Sequence, residues 1–281
     1  MTTIAFLGTG LLGSAFVEAA LQRGDQVTVW NRTPEKARAL QAFGARVAAT
    51  PADAARGAER VHLVLKDDAV VNEVVEQLRL GLGSTAIIVD HTTTQPALTA
   101  ERANRLYAAG IRYLHCPVFI GPAMARKAQG TILVSGPTAL FELVRDALQQ
   151  QAARVDYLGD RPDLAAVHKL CGNAFLLGVG ALVADVFAIG RGAGVAPLET
   201  LKPLEFLNLT GAATGRGKNM AAGDFTASFE LSMARKDLRL MIETAAARPL
   251  AVLPGLAARM DELIAEGHGA LDLGALSLET R

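Results

Sequence analysis

Three glycines near the N-terminus constrain this chain more than any other feature. They occupy positions 8, 10 and 13, after the apolar run 4–7 and before a segment with helical periodicity. This order of strand, glycine turn and helix is typical of dinucleotide-binding folds. There the first glycine makes a tight turn, the second lets the backbone approach a pyrophosphate, and the third lets helix and strand pack closely. The predicted cofactor contacts here are Gly8, Thr9, Gly10, Leu11, Leu12 and Gly13.

The first half of the chain alternates short apolar runs with segments of helical periodicity. Thr33-Pro34 and Thr50-Pro51 are typical helix starts, because threonine caps a helix and proline fits its first turn. Alternating strands and helices predict a mainly parallel sheet with right-handed crossovers, covered on both faces. The predicted strands are 4–7, 27–30, 61–65, 86–89, 113–118 and 132–134.

The pattern changes after about residue 158, where alanine-rich helical periodicity replaces the alternation. The predicted fold class is therefore α/β, with an N-terminal Rossmann-type parallel-sheet domain at 1–160 followed by an all-α C-terminal domain at 161–281. The apolar segment 174–189 is shorter than the ~20 residues of a membrane helix. It also contains Asp185, so we expect a buried core helix and no membrane partner.

Composition excludes several classes of function. Lys plus Arg and Asp plus Glu both number 28, so the chain has no basic surface excess for nucleic acid. The two cysteines, Cys116 and Cys171, lack CxxC spacing and no export signal precedes the first strand, so we expect reduced thiols and a cytoplasmic location. The five histidines have no metal-ligand spacing, and segment 211–218 departs from the Walker A pattern. Neither a metal nor ATP is predicted.

The residues after the second predicted strand indicate which dinucleotide binds. An NAD-specific site places Asp or Glu there, on the ribose hydroxyls, but this chain has Asn31, Arg32 and Thr33. Arg32 offers a bidentate cation to a 2′-phosphate, which an acidic side chain would repel. The sequence therefore predicts NADP(H), contacted by these three residues. The alternative is that Arg32 is a solvated surface residue and Thr33 only a helix cap.

Lys169 and Asn173 are spaced i, i+4 in the first long helix of the second half, so they share one face. Apolar neighbours would desolvate the lysine and lower its pKa toward the range of a general acid and base. Asn173 could then hold a substrate oxygen beside it. The alternative is an ordinary solvated helix lysine.

Five segments in order resemble the β-hydroxyacid dehydrogenase family, which includes 3-hydroxyisobutyrate dehydrogenase and is related to 6-phosphogluconate dehydrogenase. The resemblance spans nearly the whole chain. The segments are Gly8 to Gly13, Asp90-His91-Thr92-Thr93, His115-Cys116-Pro117-Val118-Phe119-Ile120-Gly121, Lys169 to Asn173, and Lys236-Asp237.

The resemblance implies a role for each matching residue. Lys169 would be the catalytic acid and base, and Asn173 a substrate ligand. Thr93 would touch the cofactor near the nicotinamide, and Lys236 would reach it from the helical domain. Leu65 and Val70 would lie against the adenosine and ribose. The substrate contacts implied or considered are Thr92, Phe119, Ile120, Gly121 and Asn173, and the assembly would be a homodimer or homotetramer formed through the helical domain.

The chain departs from the family at its substrate loop. Relatives bind a substrate carboxylate with Ser-Gly-Gly, whereas Phe119 and Ile120 here replace the serine and the first glycine. Two large apolar side chains remove a donor and narrow the approach to the backbone, which favours a more apolar carbonyl compound. His91 and His115 are also unusual at their positions, and either lines the cleft or is a satisfied structural histidine.

The sequence therefore predicts an NADP-dependent oxidoreductase acting on a small molecule. It would interconvert a β-hydroxy acid-like or more apolar alcohol and its aldehyde or ketone by hydride transfer, with Lys169 as general acid and base. One alternative is an NADPH-dependent imine reductase, against which Lys169 argues because those enzymes usually replace the lysine. The other is a noncatalytic NADPH-binding protein.

Overall fold

Six parallel strands form the main sheet of the computed structural model, which describes residues 2–279. They are β1 (Thr3–Leu7), β2 (Gln26–Trp30), β3 (Arg46–Val47), β4 (Arg60–Leu63), β5 (Ile87–Asp90) and β6 (Arg112–His115). Their order is β3-β2-β1-β4-β5-β6, so the direction of winding reverses between β1 and β4. Open α/β sheets bind ligands at this reversal, beyond the carboxyl ends of the strands.

Helices cover both faces of this sheet, which confirms the predicted fold class. Residues of β1 alternate between two buried clusters, with Phe6 beside Phe16 on one face and Leu7 beside Val71 on the other. The predicted threonine cap at the third helix is present, because the Thr50 hydroxyl accepts the Asp53 N–H at 3.1 Å. The helices are α1 (Leu11–Gln22), α2 (Pro34–Arg38), α3 (Pro51–Ala55), α4 (Asp68–Leu78) and α5 (Pro96–Ala108).

A second sheet of three strands follows, formed by β7 (Val118–Phe119), β8 (Thr131–Val134) and β9 (Arg154–Tyr157). Two helices connect these strands, α6 (Pro122–Ala125) and α7 (Thr138–Gln149). The predicted single strand 113–118 is wrong, because β6 and β7 belong to different sheets. Pro117 separates them, since proline has no N–H for a strand ladder. Two strands were not predicted. They are β3, which has two residues, and β9, which is partly exposed.

All regular elements after β9 are helical in the described part of the chain. They are α8 (Leu164–Gly192), α9 (Leu209–Ala222), α10 (Leu231–Ala245) and α11 (Leu253–Ala265), with 3-10 helices at Glu199–Glu205 and Leu273–Ser277. Segment 211–218 is part of α9 and forms no phosphate-binding loop. The chain divides into two compact units between Asn173 and Ala174, within α8.

Asp185 organises the second unit from the middle of α8. Its buried carboxylate accepts the N–H groups of Ala251, Val252 and Leu253 at 2.6, 2.9 and 3.0 Å, which caps the start of α11. Burial alone would raise the pKa of Asp185, but these three hydrogen bonds outweigh it and hold the pKa below its usual value. The polar residue in the apolar segment is therefore a helix cap.

The expectation that 174–189 is a buried core helix is wrong for the single chain. Phe175 is 70% exposed and Leu177 is 74% exposed. By length and composition α8 could cross a membrane, and very little of its most apolar stretch is buried within the described chain. Apolar residues on every side of a helix predict that protein surrounds it. In the single chain, however, α8 is buried over only part of its surface, for example at Ala188.

Candidate active site

The glycine turn has the close contacts that its sequence predicts. Gly8 has φ of +99°, and a Cβ there would lie 2.1 Å from the Val64 carbonyl oxygen. A Cβ on Gly13 would lie 2.0 Å from the Gly8 oxygen, whereas a Cβ on Gly10 would meet open space. The first and third glycines thus let backbones touch, and the second leaves the start of α1 accessible. This arrangement fits a pyrophosphate on the helix N-terminus.

The turn after β2 is tied to the glycine turn by Asn31. Its Oδ1 accepts the Thr9 N–H at 2.9 Å and its Nδ2 donates to the Thr33 carbonyl at 2.9 Å. Asn31 therefore braces two loops, a role that its neutral character alone did not indicate. Arg32 and Thr33 are exposed beside it.

A cavity of about 350 Å³ runs along this turn. Seven of the predicted cofactor contacts line this cavity: Gly8, Gly10, Asn31, Arg32, Thr33, Leu65 and Val70. Lys36 and Lys66 also line this cavity and were missed by the sequence analysis. For Lys36 a signal existed, because it follows Arg32 by four residues at the start of a helix.

A second cavity, of about 400 Å³, shares Gly10, Val64, Leu65 and Lys66 with the first. The two cavities therefore form one groove across the carboxyl ends of β1 and β4. The remaining residues that line the second cavity are Leu11, Leu12, Gly13, His91, Thr92, Thr93, Val118, Ile120 and Lys169. The glycine turn and the predicted catalytic lysine thus lie on the same cavity.

Lys169 is 8% exposed. Its Nζ donates to Asn173 Oδ1 at 2.9 Å and lies 4.0 Å from the centroid of the Phe119 ring. Burial lowers the pKa of Lys169 from its usual value. Ile120 lines the cavity, whereas the Phe119 ring packs on Lys169 and on Gly172 of α8. Gly121 is the residue before α6.

The two threonines after β5 have different environments. Thr92 is buried, and its hydroxyl accepts the Leu65 N–H at 3.1 Å, which ties the β4 and β5 loops together. Thr93 is exposed on the second cavity. Thr93 is thus the one with a side chain accessible to a ligand.

The comparisons with known proteins agree with this geometry. Residues 3–159 match the family model described as the NAD binding domain of 6-phosphogluconate dehydrogenase. The chain belongs to the β-hydroxyacid dehydrogenase family.

Similar proteins include oxidoreductases of different named activities. The chain is 29% identical to an uncharacterised oxidoreductase of Shewanella frigidimarina, covering 87% of this chain and 86% of that one. It is 26% identical to the 3-sulfolactaldehyde reductase of Escherichia coli, covering 100% and 96%. A reductive aminase from Aspergillus terreus, solved with NADPH4, cyclohexanone and allyl amine, has a TM-score of 0.86 at 26% identity, over 98% of each chain. These relatives support an oxidoreductase that binds a nicotinamide cofactor.

Two histidines of this β-hydroxyacid dehydrogenase family member form a buried pair below the cavity. Because the Cys116 carbonyl can only accept, His91 Nδ1–H donates to it, at 2.8 Å. A neutral His91 then accepts on Nε2 the proton of His62 Nδ1, at 3.0 Å. The His62 ring also stacks on Phe6 with centroids 4.5 Å apart. His91 therefore both lines the cavity and has a structural role.

His115 is buried away from the second cavity. Its Nε2–H points at the Thr92 carbonyl, at 3.0 Å, and lies 3.0 Å from the Thr94 hydroxyl. Burial lowers the pKa of His115, which keeps it neutral. Of the two interpretations offered by the sequence, the structural one describes His115.

A buried network that the sequence analysis missed supports the β5 loop. Asp90 Oδ1 accepts the Thr92 N–H at 2.9 Å, and its Oδ2 accepts the Tyr113 hydroxyl proton at 2.8 Å. Arg102, 1% exposed, donates to Asp68 at 3.0 Å and also approaches Asp90, at 3.9 Å. The signal for such a network was an acid at the end of a wholly apolar strand.

The remaining predicted residue, Lys236, lies on α10 in the second unit. Its side chain is half-exposed, and its Nζ lies 3.0 Å from the Asp237 carboxylate. Its predicted contact with the cofactor stays a prediction. Within residues 2–279, no group of three His, Cys, Asp or Glu side chains is placed to hold a metal ion.

We expect the histidine pair to make the fold sensitive to mild acid. Burial is the main cause that lowers the pKa of His91 from 6.5 to about 4 in the folded chain. Between these values the unfolded chain binds a proton that the folded chain does not, so stability falls as pH falls. Urea denaturation should show that His91 alone removes about 2.4 kcal/mol of unfolding free energy between pH 7 and pH 4.5.

Leucine at both His62 and His91 should weaken this dependence, because among the described buried histidines only His115 then remains with a lowered pKa. Glutamine at exposed His168 is the matched control and should keep the wild-type slope. Asp185 and Asp272 have pKa values below 3.8 and titrate outside this range. A wild-type slope in the double variant would assign the acid sensitivity to other groups.

Proposed function

We propose that this protein is an NADPH-dependent reductase of a neutral, apolar aldehyde or ketone, which also catalyses the reverse oxidation of the alcohol. The observation that carries the proposal is one cavity lined both by the open glycine turn and by the buried Lys169. A carbonyl compound in this cavity would have a proton donor and a nicotinamide site within reach.

The 2′-phosphate of NADP would be held beside the β2 turn. Arg32 and Lys36 line that end of the groove, and both carry a positive charge. Glu73 is the acidic residue lining the same cavity, on α4. The cationic pair on the β2 side supports NADP(H) over NAD(H), since a doubly charged phosphate gains from two cations.

Lys169 would supply the proton of the reaction. When bound, the cofactor supplies a hydride to the carbonyl carbon. The π electrons of the carbonyl bond move to its oxygen, which takes a proton from the Lys169 ammonium and leaves an alcohol and a neutral amine. Asn173 holds the ammonium through Oδ1, and its Nδ2 can donate to the substrate oxygen.

The substrate class follows from the apolar residues of the substrate loop that line the cavity. Val118 and Ile120 form the apolar side of the cavity. Arg126, in the helix and turn after Ile120, is paired with Glu18 through two contacts of 2.6 and 3.1 Å. Its charge is thus already compensated, which supports a substrate without a carboxylate.

Imine reduction is the second candidate. It is favoured by the likeness to the reductive aminase, at a TM-score of 0.86 and 26% identity, and by the apolar cavity wall. Retention of Lys169 favours the carbonyl instead, because an alkoxide needs a proton and an iminium cation does not. A protein that binds NADPH without turnover is the third candidate.

A homodimer would cover the exposed apolar residues of α8, of the segment that follows it and of the first position of α9. They are Leu170, Phe175, Leu176, Leu177, Val179, Leu182, Leu198, Leu204, Phe206, Leu207 and Leu209. Soluble monomers rarely expose so many large apolar side chains together. We propose a second copy of this chain as their partner.

Replacing Lys169 by methionine tests the proposed chemistry. We expect unchanged NADPH binding by calorimetry and a loss of at least ~10²-fold in turnover, the scale for removal of a positioned proton donor. The assay follows NADPH oxidation with matched aldehydes, ketones and cyclic imines. The exposed Lys202, paired with Glu199, provides the control variant Lys202→Met, which should keep wild-type turnover.

The outcomes of this assay separate the three candidates. Turnover of imines alone would favour imine reduction, and NADPH binding without turnover of any compound would favour the noncatalytic protein. Carbonyl turnover that survives in Lys169→Met would place the proton donor elsewhere.

Arg32→Ala tests the cofactor preference. The wild type should bind NADPH at least ~10-fold more tightly than NADH, about 1.4 kcal/mol, and the variant should lose most of this difference while NADH binding changes little. Arg38→Ala is the matched control, because Arg38 lies in α2, which begins two residues after Arg32, and pairs with Glu35. Equal losses for both cofactors, measured by calorimetric titration, would contradict the assignment.

The quaternary proposal predicts a mass near twice the 29.5 kDa of one chain, measured by light scattering in buffer without detergent. Aspartate at both Phe175 and Leu177 should yield monomers, because it places charges on the apolar face. Aspartate at Leu143, an exposed residue of α7, should leave the mass unchanged. A monomeric wild type, or one that needs detergent to stay in solution, would rule out this interface.

A further inference from the structure

The Phe119 ring faces Lys169. The sequence predicts that this ring lies against the substrate, but Phe119 is not among the residues that line the second cavity. Nζ lies 4.0 Å from the ring centroid, within the distance at which the negative face of an aromatic ring attracts a cation. Phe119 belongs to β7, where its pairing with Thr131 of β8 fixes the backbone. The ring is therefore held by a sheet, and the flexible lysine side chain is positioned against it.

Gly172 provides the room for this ring. It lies three residues after Lys169 on α8, so both residues share a face of the helix. A Cβ at Gly172 would lie 2.3 Å from Cζ and 2.9 Å from Cε1 of Phe119. The ring thus fits between the helix backbone and the lysine only because residue 172 has no side chain.

The ammonium group has neutral partners. Asn173 Oδ1 accepts its hydrogen bond, and no carboxylate pairs with Nζ among residues 2–279. The titratable side chains that line the same cavity are Lys66, from the loop after β4, and His91, from the loop after β5. Lys66 lies 3.8 Å from the Asp67 carboxylate, and His91 is bonded within its buried pair. On α8 itself, His168 and Cys171 are exposed beside Lys169.

We propose that Phe119 is a positioning residue for Lys169, and that its ring face takes the place of a counter-ion. The inference rests on the proposed role of Lys169 as proton donor. A carboxylate counter-ion would be left buried and unpaired once Lys169 gave up its proton, which is costly. The uncharged ring leaves no such charge, and it still packs against the apolar stem of the lysine after the ammonium has become a neutral amine. Phe119 thus holds the donor in both protonation states.

The pH dependence of kcat/KM for reduction tests this role. A proton donor works in its protonated form, so activity falls as pH rises through the pKa of Lys169. The ring favours the charged ammonium, and its removal in Phe119→Leu should move this basic limb to lower pH by about one unit. Phe119→Tyr, which keeps the ring face, should retain the wild-type limb.

Two further variants distinguish an effect of the Phe119 ring on the pH limb from an effect of side-chain packing in general. Gly172→Ala should displace the ring from Lys169 and shift the limb in the same direction, while alanine favours the helix and preserves folding. Ile120→Val alters the cavity wall beside the ring and should leave the limb in place, whatever its effect on KM. An unmoved limb in Phe119→Leu overturns the proposal. A limb moved to higher pH also overturns it, because the ring would then act only by excluding water.

A direct titration of Lys169 distinguishes this proposal from the proposed function. The chain has seven lysines, so reductive ¹³C-methylation gives few NMR signals, and Lys169→Met identifies the one required. Its pKa should fall by about one unit in Phe119→Leu. If it falls while Lys169→Met keeps full turnover, the pairing with Phe119 stands and the proposed function fails. If it does not fall, the role of Phe119 is disproved whether or not the protein is a reductase.

Discussion

Three backbone segments touch one another just beyond the ends of β1 and β4. The rest of the site depends on this contact. Gly8 approaches the chain after β4, and Gly13 approaches Gly8, at distances that exclude any Cβ. These contacts place the N-terminus of α1 at the winding reversal between β1 and β4. The groove that carries Arg32 at one end and Lys169 at the other opens from this point.

Buried polar groups keep the floor of that groove rigid. Asp90, Tyr113 and Arg102 fix the β5 loop from below, and the His62–His91 pair links it to the chain before β7. Each of these groups would be costly to bury alone, but hydrogen bonds satisfy most of their donors and acceptors. The stability of the loop that presents Thr93 to a ligand therefore depends on neutral histidines.

The direct partners of Lys169 differ from that network in carrying no charge. Its partners are an amide oxygen and an aromatic ring, so the proton can leave without stranding a buried anion. The family and the fold leave the reaction open, because similar chains include both an aldehyde reductase and a reductive aminase. In the proposed function, the chemistry of this member depends on which side chains surround the lysine.

The class of fold, the glycine turn and the order of the five family-like segments were predictable from the sequence, because these depend on local periodicity and on backbone conformations that only glycine allows. The sequence could not determine the break at Pro117 between two sheets, the buried network around Asp90, or the brace made by Asn31, since these join residues distant in the chain. It also mistook α8 for a buried helix, because hydropathy does not reveal which molecule covers an apolar surface. The pairing of Phe119 with Lys169 depends on the room left by Gly172, and only the tertiary structure brings these three residues together.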